Sequence, residues 1–295
     1  MQRQIIVVFL GWLLLACSPA WAADRGALFK VAGKGHTMYL FGTMHVGQPG
    51  FYPLEARIAA AVAGASTLAL EIDPLADPAT LVQAMQAHGM HTGPGMETAM
   101  PPALRARLTR ALTRAGIDPN AVSRFRPWLT ATVLAMAEYG AQGYRTDLSV
   151  DLHLAQLAKA GKVRVLALET ASSQMSMFNR MSDADQLSFM EESIALIESG
   201  KQGTEIKQIV EAWRTADQRA FNDIAERLAR DTTVSGKFVK DILLDERNVG
   251  IADKLEQLLG REDKSVAAIG VLHLLGSKSV PALLIERGLS VERVY

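Results

Sequence analysis

Short apolar runs alternate along the chain with segments in which apolar residues recur every three or four positions. The runs 67–72, 163–168 and 266–269 have the length of buried strands, and the segments between them have the period of helices. Strands that alternate with helices predict an α/β fold. Two further runs, 27–31 and 37–41, flank a Gly-Lys-Gly turn and predict a β-hairpin. We therefore expect a central mixed sheet flanked by helices.

A long part of the chain is almost entirely helical in its pattern, from Ser182 to Leu259. One helix in it has a clear apolar stripe, formed by Leu187, Met190, Ile194 and Ile197. Such stripes are typical of surfaces that face a core. This segment predicts a large helical insertion or a cap over the sheet.

A histidine or a glutamate stands at or just beyond the end of each of four apolar strands. These residues are His45, Glu71, Glu169 and His273. Both histidines belong to a Gly-x-x-His motif, in which the glycine lets the backbone turn tightly. Because parallel strands of an open sheet end at the same edge, where the ligand crevice lies, we expect the four side chains to converge.

Imidazoles and carboxylates are the ligands that Zn, Mn, Fe and Co take in proteins. A bound metal ion lowers the pKa of water and polarises a carbonyl, which permits hydrolysis without a covalent intermediate. A second carboxylate would then remain as general base or acid. Two alternatives stay open at this point: a His–Glu pair that activates water without a metal, and polar caps of the strand ends with no chemistry. Burial of such groups without partners costs several kcal/mol, which favours a shared polar site.

The composition excludes some classes of partner. The chain has 31 Lys+Arg and 31 Asp+Glu, so it offers no net field that would hold a nucleic acid or an anionic membrane. The hydrophobic fraction of 49% fits a globular protein with a substantial core. Cys17 is the only cysteine, which excludes an internal disulfide and a catalytic thiol. Nothing in the composition defines an oligomeric state.

The amino-terminal residues have the pattern of an export signal. Arg3 precedes the apolar run 5–16, which is too short for a stable membrane anchor, and Ala20-Trp21-Ala22 supplies a small-x-small cleavage site. We expect a signal peptide over 1–22 and a single α/β domain over 23–295, periplasmic or secreted, without a transmembrane span in the mature chain. The alternative is a lipoprotein anchored through Cys17, since Leu-Leu-Ala-Cys is similar to a lipobox.

The motifs together resemble the TraB/GumN family, which includes the TIKI-type proteases. The segments that carry the resemblance are Tyr39-Leu40-Phe41-Gly42-Thr43-Met44-His45, Leu70-Glu71, Arg126-Pro127-Trp128, Asp151, Leu166-Ala167-Leu168-Glu169-Thr170, Leu244-Asp245-Glu246-Arg247-Asn248 and Gly270-Val271-Leu272-His273-Leu274. The family is defined by two Gly-x-x-His motifs, a glutamate and an arginine. On composition alone Arg247 belongs to a solvated helix face. The resemblance instead implies a site residue that binds a substrate carboxylate or an oxyanion.

The resemblance implies a hydrolase. TIKI-type relatives are metal-dependent proteases, whereas erythromycin-esterase-like proteins with a similar site layout hydrolyse esters without a metal. We therefore expect a peptidase for a peptide or protein substrate, with Mn, Co or Zn bound by His45, Glu71 and His273. Arg247 would stabilise charge, and Glu169 would act as base or as support. The alternatives are a metal-independent, esterase-like hydrolase with a His–Glu pair and a non-catalytic protein that binds ligands in the same cleft.

Overall fold

The structure is a computed structural model that describes residues 24–93 and 100–295. The predicted signal peptide at 1–22, including the candidate lipidation site Cys17, lies outside the described residues. None of the helices in the described ranges is long and apolar enough to cross a membrane.

Six strands form one mixed sheet in the order β4-β3-β5-β2-β1-β6. The strands are β1 (Leu28–Gly33), β2 (His36–Thr43), β3 (Thr67–Leu70), β4 (Arg164–Ala167), β5 (Ser265–Gly270) and β6 (Ser290–Arg293). Strands β4, β3, β5 and β2 are parallel; β1 runs antiparallel to β2, and β6 at the edge runs antiparallel to β1. The predicted mixed sheet and the predicted hairpin are both confirmed.

The register brings the ends of the four parallel strands to one level. Leu70 at the end of β3 lies opposite Ala167 of β4 and Ala268 of β5. At the other side of β5, Gly270 lies opposite Thr43 of β2. Any residue that follows one of these strands is therefore placed at the same edge of the sheet.

Helices cover the sheet and extend beyond it. They are α1 (Ala56–Ala63), α2 (Pro78–Gly89), α3 (Pro102–Arg114), α4 (Pro127–Ala141), α5 (Val150–Ala160), α6 (Ala171–Ser176), α7 (Asp183–Glu198), α8 (Lys201–Thr215), α9 (Gln218–Arg230), α10 (Val234–Lys237), α11 (Arg247–Leu259) and α12 (Val280–Glu286). Proline occupies the first turn of α2, α3 and α4, where its missing N–H would have had no partner in the helix. Ser149 and Ser182 cap α5 and α7 by accepting backbone N–H groups.

Apolar residues form a sheet core and a separate helical cluster. In the sheet core, β2, β3 and β5 pack against α1, α5, α8, α11 and α12. The helical cluster joins α3, α4 and α7, and includes the predicted stripe residues Met190, Ile194 and Ile197. Trp213 of α8 is fully buried and donates its indole N–H to the backbone oxygen of Gly42, at 2.8 Å. The predicted helical cap is thereby attached to the first Gly-x-x-His motif, while the assignment of 23–295 to a single domain stays a prediction.

Two elements differ from the sequence-based expectation. Strand β4, expected to be buried, is an edge strand whose first and last residues are exposed, because β3 pairs with one side of it only. Within the segment Ser182 to Leu259, which the sequence predicts to be helical with the ordinary 3.6-residue period, Phe238–Glu246 is a π-helix that continues as α11. The wider turn changes the direction of the side chains near Arg247, which the 3.6-residue period does not reveal.

Candidate functional site

The four strand-end residues lie next to one another across the carboxyl edge of the sheet. Glu169 follows β4, Glu71 follows β3, His273 lies in a 3₁₀ turn after β5, and His45 follows β2. The backbone N–H of Glu169 donates to the oxygen of Glu71 at 2.7 Å, so the pairing of β3 and β4 extends to these residues. The structure thus brings together all four residues; their catalytic and metal-binding roles stay predictions.

Glu71 is the centre of the site. Its Oε1 accepts the N–H of Gly270 at 2.7 Å and faces two imidazole nitrogens, His45 Nε2 at 3.7 Å and His273 Nε2 at 3.8 Å. The side chain of Glu71 is only 6% exposed. Burial raises the pKa of this carboxyl, but the charges of His45, His273 and Arg247 and the Gly270 N–H outweigh it and hold the pKa well below its usual range. Glu71 is therefore a carboxylate in the folded protein.

His45 is held by a carboxylate from another element. Its Nδ1 lies 3.0 Å from Oδ2 of Asp151 in the first turn of α5, and Oδ1 of Asp151 accepts the hydroxyl of Thr43 at 2.6 Å. The negative charge of Asp151 raises the pKa of His45 to about 9, against an opposing effect of burial. The His45 side chain is nevertheless 62% exposed, so solvent screens much of this interaction. His45 is the imidazole that a substrate would meet first.

His273 is held by an amide instead. Its Nδ1 lies 2.6 Å from Oδ1 of Asn248, whose Nδ2 donates to the backbone oxygen of Lys278 at 2.8 Å. Because that backbone oxygen can only accept, the Asn248 amide is oriented with its oxygen towards His273. His273 Nδ1 is then the protonated nitrogen, and Nε2 carries the lone pair towards Glu71. Burial lowers the pKa of His273 to about 4, so it is neutral near pH 7.

Arg247 joins the two glutamates. Its Nη2 lies 2.5 Å from Glu71 Oε2 and 2.6 Å from Glu169 Oε2, and its Nε donates to Glu169 Oε1 at 3.1 Å. Its Nη1 donates to the backbone oxygen of Leu243 in the π-helix. The Arg247 side chain is 10% exposed. In this arrangement the guanidinium binds carboxylates of the protein itself, and Glu169 is a partner of Arg247.

Sequence reasoning did not single out three residues of the site. Asp151 stood only among the carriers of the family resemblance, Asn248 was noted only as the neighbour of Arg247, and Gln174 was not considered. Gln174 bridges the two glutamates by donating to Glu169 Oε2 at 2.9 Å and to Glu71 Oε2 at 3.2 Å. The family resemblance was the available signal for Asp151 and Asn248, and Gln174 had none.

The glycines of the two Gly-x-x-His motifs each leave room for the other motif. A Cβ atom built on Gly270 would lie 3.1 Å from both Glu71 Oε1 and His45 Nε2. A Cβ atom on Gly42 would lie 2.9 Å from a methyl group of Val271, in the turn that carries His273. The motifs therefore pack against each other across the β2–β5 pair, and glycine is the residue that permits it.

Two clefts open on the site from different sides of His45. The first, of about 460 Å³, is bordered by His45, Glu71 and residues of α2, α5 and α6. The second, of about 270 Å³, ends on His45, His273 and Arg247 and is lined otherwise by mostly apolar residues of α4, α8 and the π-helix. The site is thus accessible to a molecule that is longer than either cleft.

The site atoms match a transition metal in type and orientation. Two Nε2 atoms face one carboxylate oxygen, and each imidazole is fixed at Nδ1 by an oxygen, as metal-binding histidines usually are. Within the described residues, however, no group of three or more His, Cys, Asp and Glu side chains is already arranged to hold an ion. The separations of 3.7 and 3.8 Å are slightly longer than the roughly 3.3–3.6 Å between neighbouring ligands of a tetrahedral ion with bonds of about 2.0–2.2 Å. The residues fit a metal by their chemistry and would have to draw together to bind it.

Comparison with known proteins gives a match to one family model. The model of the TraB/PrgY/gumN family matches residues 27–293. The chain is 25% identical to the uncharacterised protein YbaP of Escherichia coli K12, over 92% of this chain and 99% of that protein, and equally similar to YbaP of Shigella flexneri. It is 22% identical to an uncharacterised protein of Treponema pallidum, over 96% of this chain and 91% of that protein. No solved structure shows significant similarity.

Proposed function

This chain belongs to the TraB/PrgY/gumN family, and on that premise we propose that it is an exported hydrolase that cleaves a peptide bond, or another acyl bond, beside His45, Glu71 and His273. The observation that carries this proposal is that two histidines from opposite ends of the chain direct Nε2 at one carboxylate oxygen, Glu71 Oε1. Buried polar groups that converge beside a cleft are what a hydrolytic site requires.

The proposal includes a divalent metal ion, Mn, Co or Zn, held by His45, Glu71 and His273. When bound there, such an ion supplies a water of lowered pKa and polarises the carbonyl to be cleaved. Support comes from the donor atoms themselves, since imidazole nitrogens and a carboxylate oxygen suit these metals. His273 is neutral near pH 7, and metal binding would displace the proton that His45 carries there.

The neighbouring residues of the chain hold these donors in position. Asp151 and Asn248 orient the two imidazoles through Nδ1, so that Nε2 of each is directed at Glu71. Arg247 occupies the other oxygen of Glu71 and so leaves Oε1 for the two histidines. Glu169 balances the charge of Arg247, which makes support a better role for it than general base.

A metal-independent hydrolase is the second candidate. The observation that favours it is the Asp151–His45 pair beside the open cleft, since a carboxylate that orients an exposed imidazole is a common arrangement for proton transfer. In this version His45 and Glu71 would orient a water without a metal, and His45 would take up the water's proton once its own proton is lost as pH approaches its pKa of about 9.

The experiment is elemental analysis of the mature protein, prepared without chelators or a histidine tag and incubated with Mn, Co and Zn. It is compared with the double variant His45→Ala/His273→Ala and with a control, His36→Ala/His88→Ala, which removes two histidines outside the site. Folding is checked by circular dichroism, and turnover is measured on peptide and ester libraries. About one equivalent of metal in parent and control, lost together with turnover in the site variant, is the expected result.

Other results would change the assignment. Turnover without metal would favour the metal-independent hydrolase. Metal and turnover absent from the parent, with retained ligand binding, would contradict hydrolysis and favour a binding protein. Export is tested separately by the mass of the mature protein, which should begin at Ala23; a lipid on Cys17 would indicate the lipoprotein alternative.

A further inference from the structure

The smaller cleft beside the site has an apolar lining. Its walls come from the loop after β2, from α4, α8 and the π-helix, and its polar end is formed by His45, His273 and Arg247. The apolar residues of the walls include Met44, Val46, Met136, Ile209, Val239 and Leu243. We call this volume the apolar cleft.

The charged groups that line the apolar cleft lie at its polar end and are already paired, His45 with Asp151 and Arg247 with the two glutamates. Among the described residues that line it, Arg247 is the one Lys, Arg, Asp or Glu, and its guanidinium is bound by Glu71 and Glu169. Met136, on the wall, is 38% exposed, so part of its apolar surface is in contact with water. An apolar group placed in this cleft would remove that surface from water, whereas a carboxylate would lose hydration without a partner.

The volume of the apolar cleft limits what it holds. Pockets for whole small molecules span about 300–1,000 Å³, and this cleft has about 270 Å³. It therefore suits one side chain of the size of leucine better than a complete ligand. Because its polar end is His45 and His273, that side chain would sit next to the bond that faces them.

The larger cleft has the opposite character. Its lining includes four carboxylates, those of Glu71, Asp73, Asp77 and Asp151, and no Lys or Arg among the described residues. A chain that reaches across His45 from the apolar cleft enters this surface. Acidic residues there would be repelled, while neutral and basic residues would be accepted.

We infer that the apolar cleft binds an apolar side chain of a peptide substrate, next to the bond that is cleaved, and that the larger cleft excludes acidic residues from the adjoining segment. This inference rests on the proposed hydrolytic function and adds its substrate class. The observation that supports the inference is that the apolar cleft is lined by the same two imidazoles, His45 and His273, that define the site.

The test is binding, measured by methyl NMR on protein with labelled methionines. Met44 and Met136 report on the apolar cleft, and Met190, fully buried in the helical cluster, reports on unrelated change. The probes are N-acetyl-leucinamide and N-acetyl-aspartamide with its free side-chain carboxylate. We expect saturable shifts of the two cleft methyls with the leucine probe, at least tenfold tighter than with the aspartate probe.

Two variants complete the test. Met136→Glu puts a carboxylate in the apolar cleft and should abolish binding of the leucine probe. Ile285→Glu puts the same group at an exposed apolar position of another helix, where 55% of the residue is already exposed, and should leave binding unchanged. Equal affinity for both probes in the parent, or shifts confined to methyls outside the cleft, would overturn the inference whatever the variants do.

This outcome is separable from that of the proposed function. Binding of the leucine probe can be measured whether or not the protein is an enzyme. Selective binding in a protein that hydrolyses no substrate would contradict the proposed hydrolysis and leave the apolar cleft as a recognition site. Turnover of peptides without any preference for apolar residues would sink the inference alone.

Discussion

At the scale of single residues, the two histidines are held in the same way by groups of different charge. Asp151 faces Nδ1 of His45 with a carboxylate, and Asn248 faces Nδ1 of His273 with an amide. The exposed imidazole therefore has a negative partner, and the buried one has a neutral partner that avoids placing another charge beside Glu71. His45, with its negative partner, is therefore the imidazole that can be protonated near pH 7, and His273, with its neutral partner, is the one that stays neutral.

Asn248→Leu tests this role of the amide. In the parent, ¹⁵N NMR of the histidines should show His273 as the Nδ1–H tautomer, because Asn248 can only accept there. In the variant this preference should be lost, and about 1–3 kcal/mol of stability with it, since the buried imidazole of His273 and the part-buried backbone oxygen of Lys278 each lose a partner. Asn248→Asp should keep the tautomer but not the bond to Lys278. An Nε2–H tautomer in the parent would contradict the assignment.

Gly270→Ala tests the space between the motifs. The backbone dihedral angles of Gly270 are ones that alanine can adopt. The expected effect therefore comes from the added methyl group, which would lie 3.1 Å from His45 Nε2 and from Glu71 Oε1. We expect a folded protein in which the His45 resonances move and turnover or metal affinity falls. Gly250→Ala is the control: its Cβ meets no atom within 4 Å in helix α11, and it should stabilise the protein by about 0.5–1 kcal/mol.

At the scale of elements, the π-helix and α11 present Arg247 to the ends of β3 and β4. The Arg247 and Glu169 side chains are each 10% exposed and Glu71 is 6% exposed, so this is a nearly buried ion cluster. Removal of one member of such a cluster leaves charges without a partner, which costs far more than the cluster contributes to stability. The junction between the two helices is therefore sensitive to a change of charge.

Arg247→Met should lower the free energy of unfolding by about 3–5 kcal/mol, because Glu71 and Glu169 remain as adjacent buried carboxylates. Adding Glu169→Gln should recover part of this loss. The control is Arg180→Met, which breaks the ion pair between Arg180 and Glu246. These side chains are 50% and 55% exposed, so the loss should be less than about 1 kcal/mol. Urea unfolding provides the comparison, and equal losses for Arg247 and Arg180 would refute the view of a buried cluster.

The loop after the first Gly-x-x-His motif gives a prediction of pH dependence. The Tyr52 hydroxyl donates to the backbone oxygen of Leu148 at 2.7 Å, and this bond holds the loop against the start of α5, which carries Asp151. Burial, and then the charge of Asp151, raises the pKa of Tyr52 to about 12 from its ordinary value of 10. The bond therefore stabilises the fold below pH 10, and that contribution is lost as pH rises from 10 towards 12.

Tyr52→Phe should cost about 1 kcal/mol near neutral pH. The difference in unfolding free energy between parent and variant should shrink as pH rises through that window, because the variant has no proton to lose at this position. Denaturant unfolding at several pH values measures this difference. A difference that stays constant across the window would contradict a raised pKa at Tyr52.

At the scale of the whole molecule, the sequence predicted those features of the fold and of the site that depend on the local spacing of apolar and polar residues. The strands, the hairpin and the meeting of His45, Glu71, Glu169 and His273 at one edge follow from apolar runs that end in polar residues. The strand order did not follow, because pairing between strands far apart in the chain leaves no local periodicity. For that reason β4 was expected to be buried although it lies at the edge of the sheet.

The contacts that orient the histidines could not be predicted from the sequence either, because they also join residues far apart in the chain. Asp151 comes to His45 from 106 positions away and Asn248 to His273 from 25, and neither stands in a pattern that marks a site. Arg247 could be placed at the site by family resemblance alone. Its contacts with Glu71 and Glu169 depend on the π-helix, which has no signal in the spacing of apolar residues.

The position of β5 has a consequence for the order in which the molecule can be assembled. This strand, Ser265–Gly270, lies between β3 and β2 in the sheet but follows both of them in the chain. Until it arrives, β2 has only β1 and β3 has only β4 as a neighbour, and the two carriers of His45 and Glu71 have nothing to hold them together. A chain that stops before β5 thus lacks the strand that joins β2 to β3, and the four site residues can meet only after β5 has been synthesised.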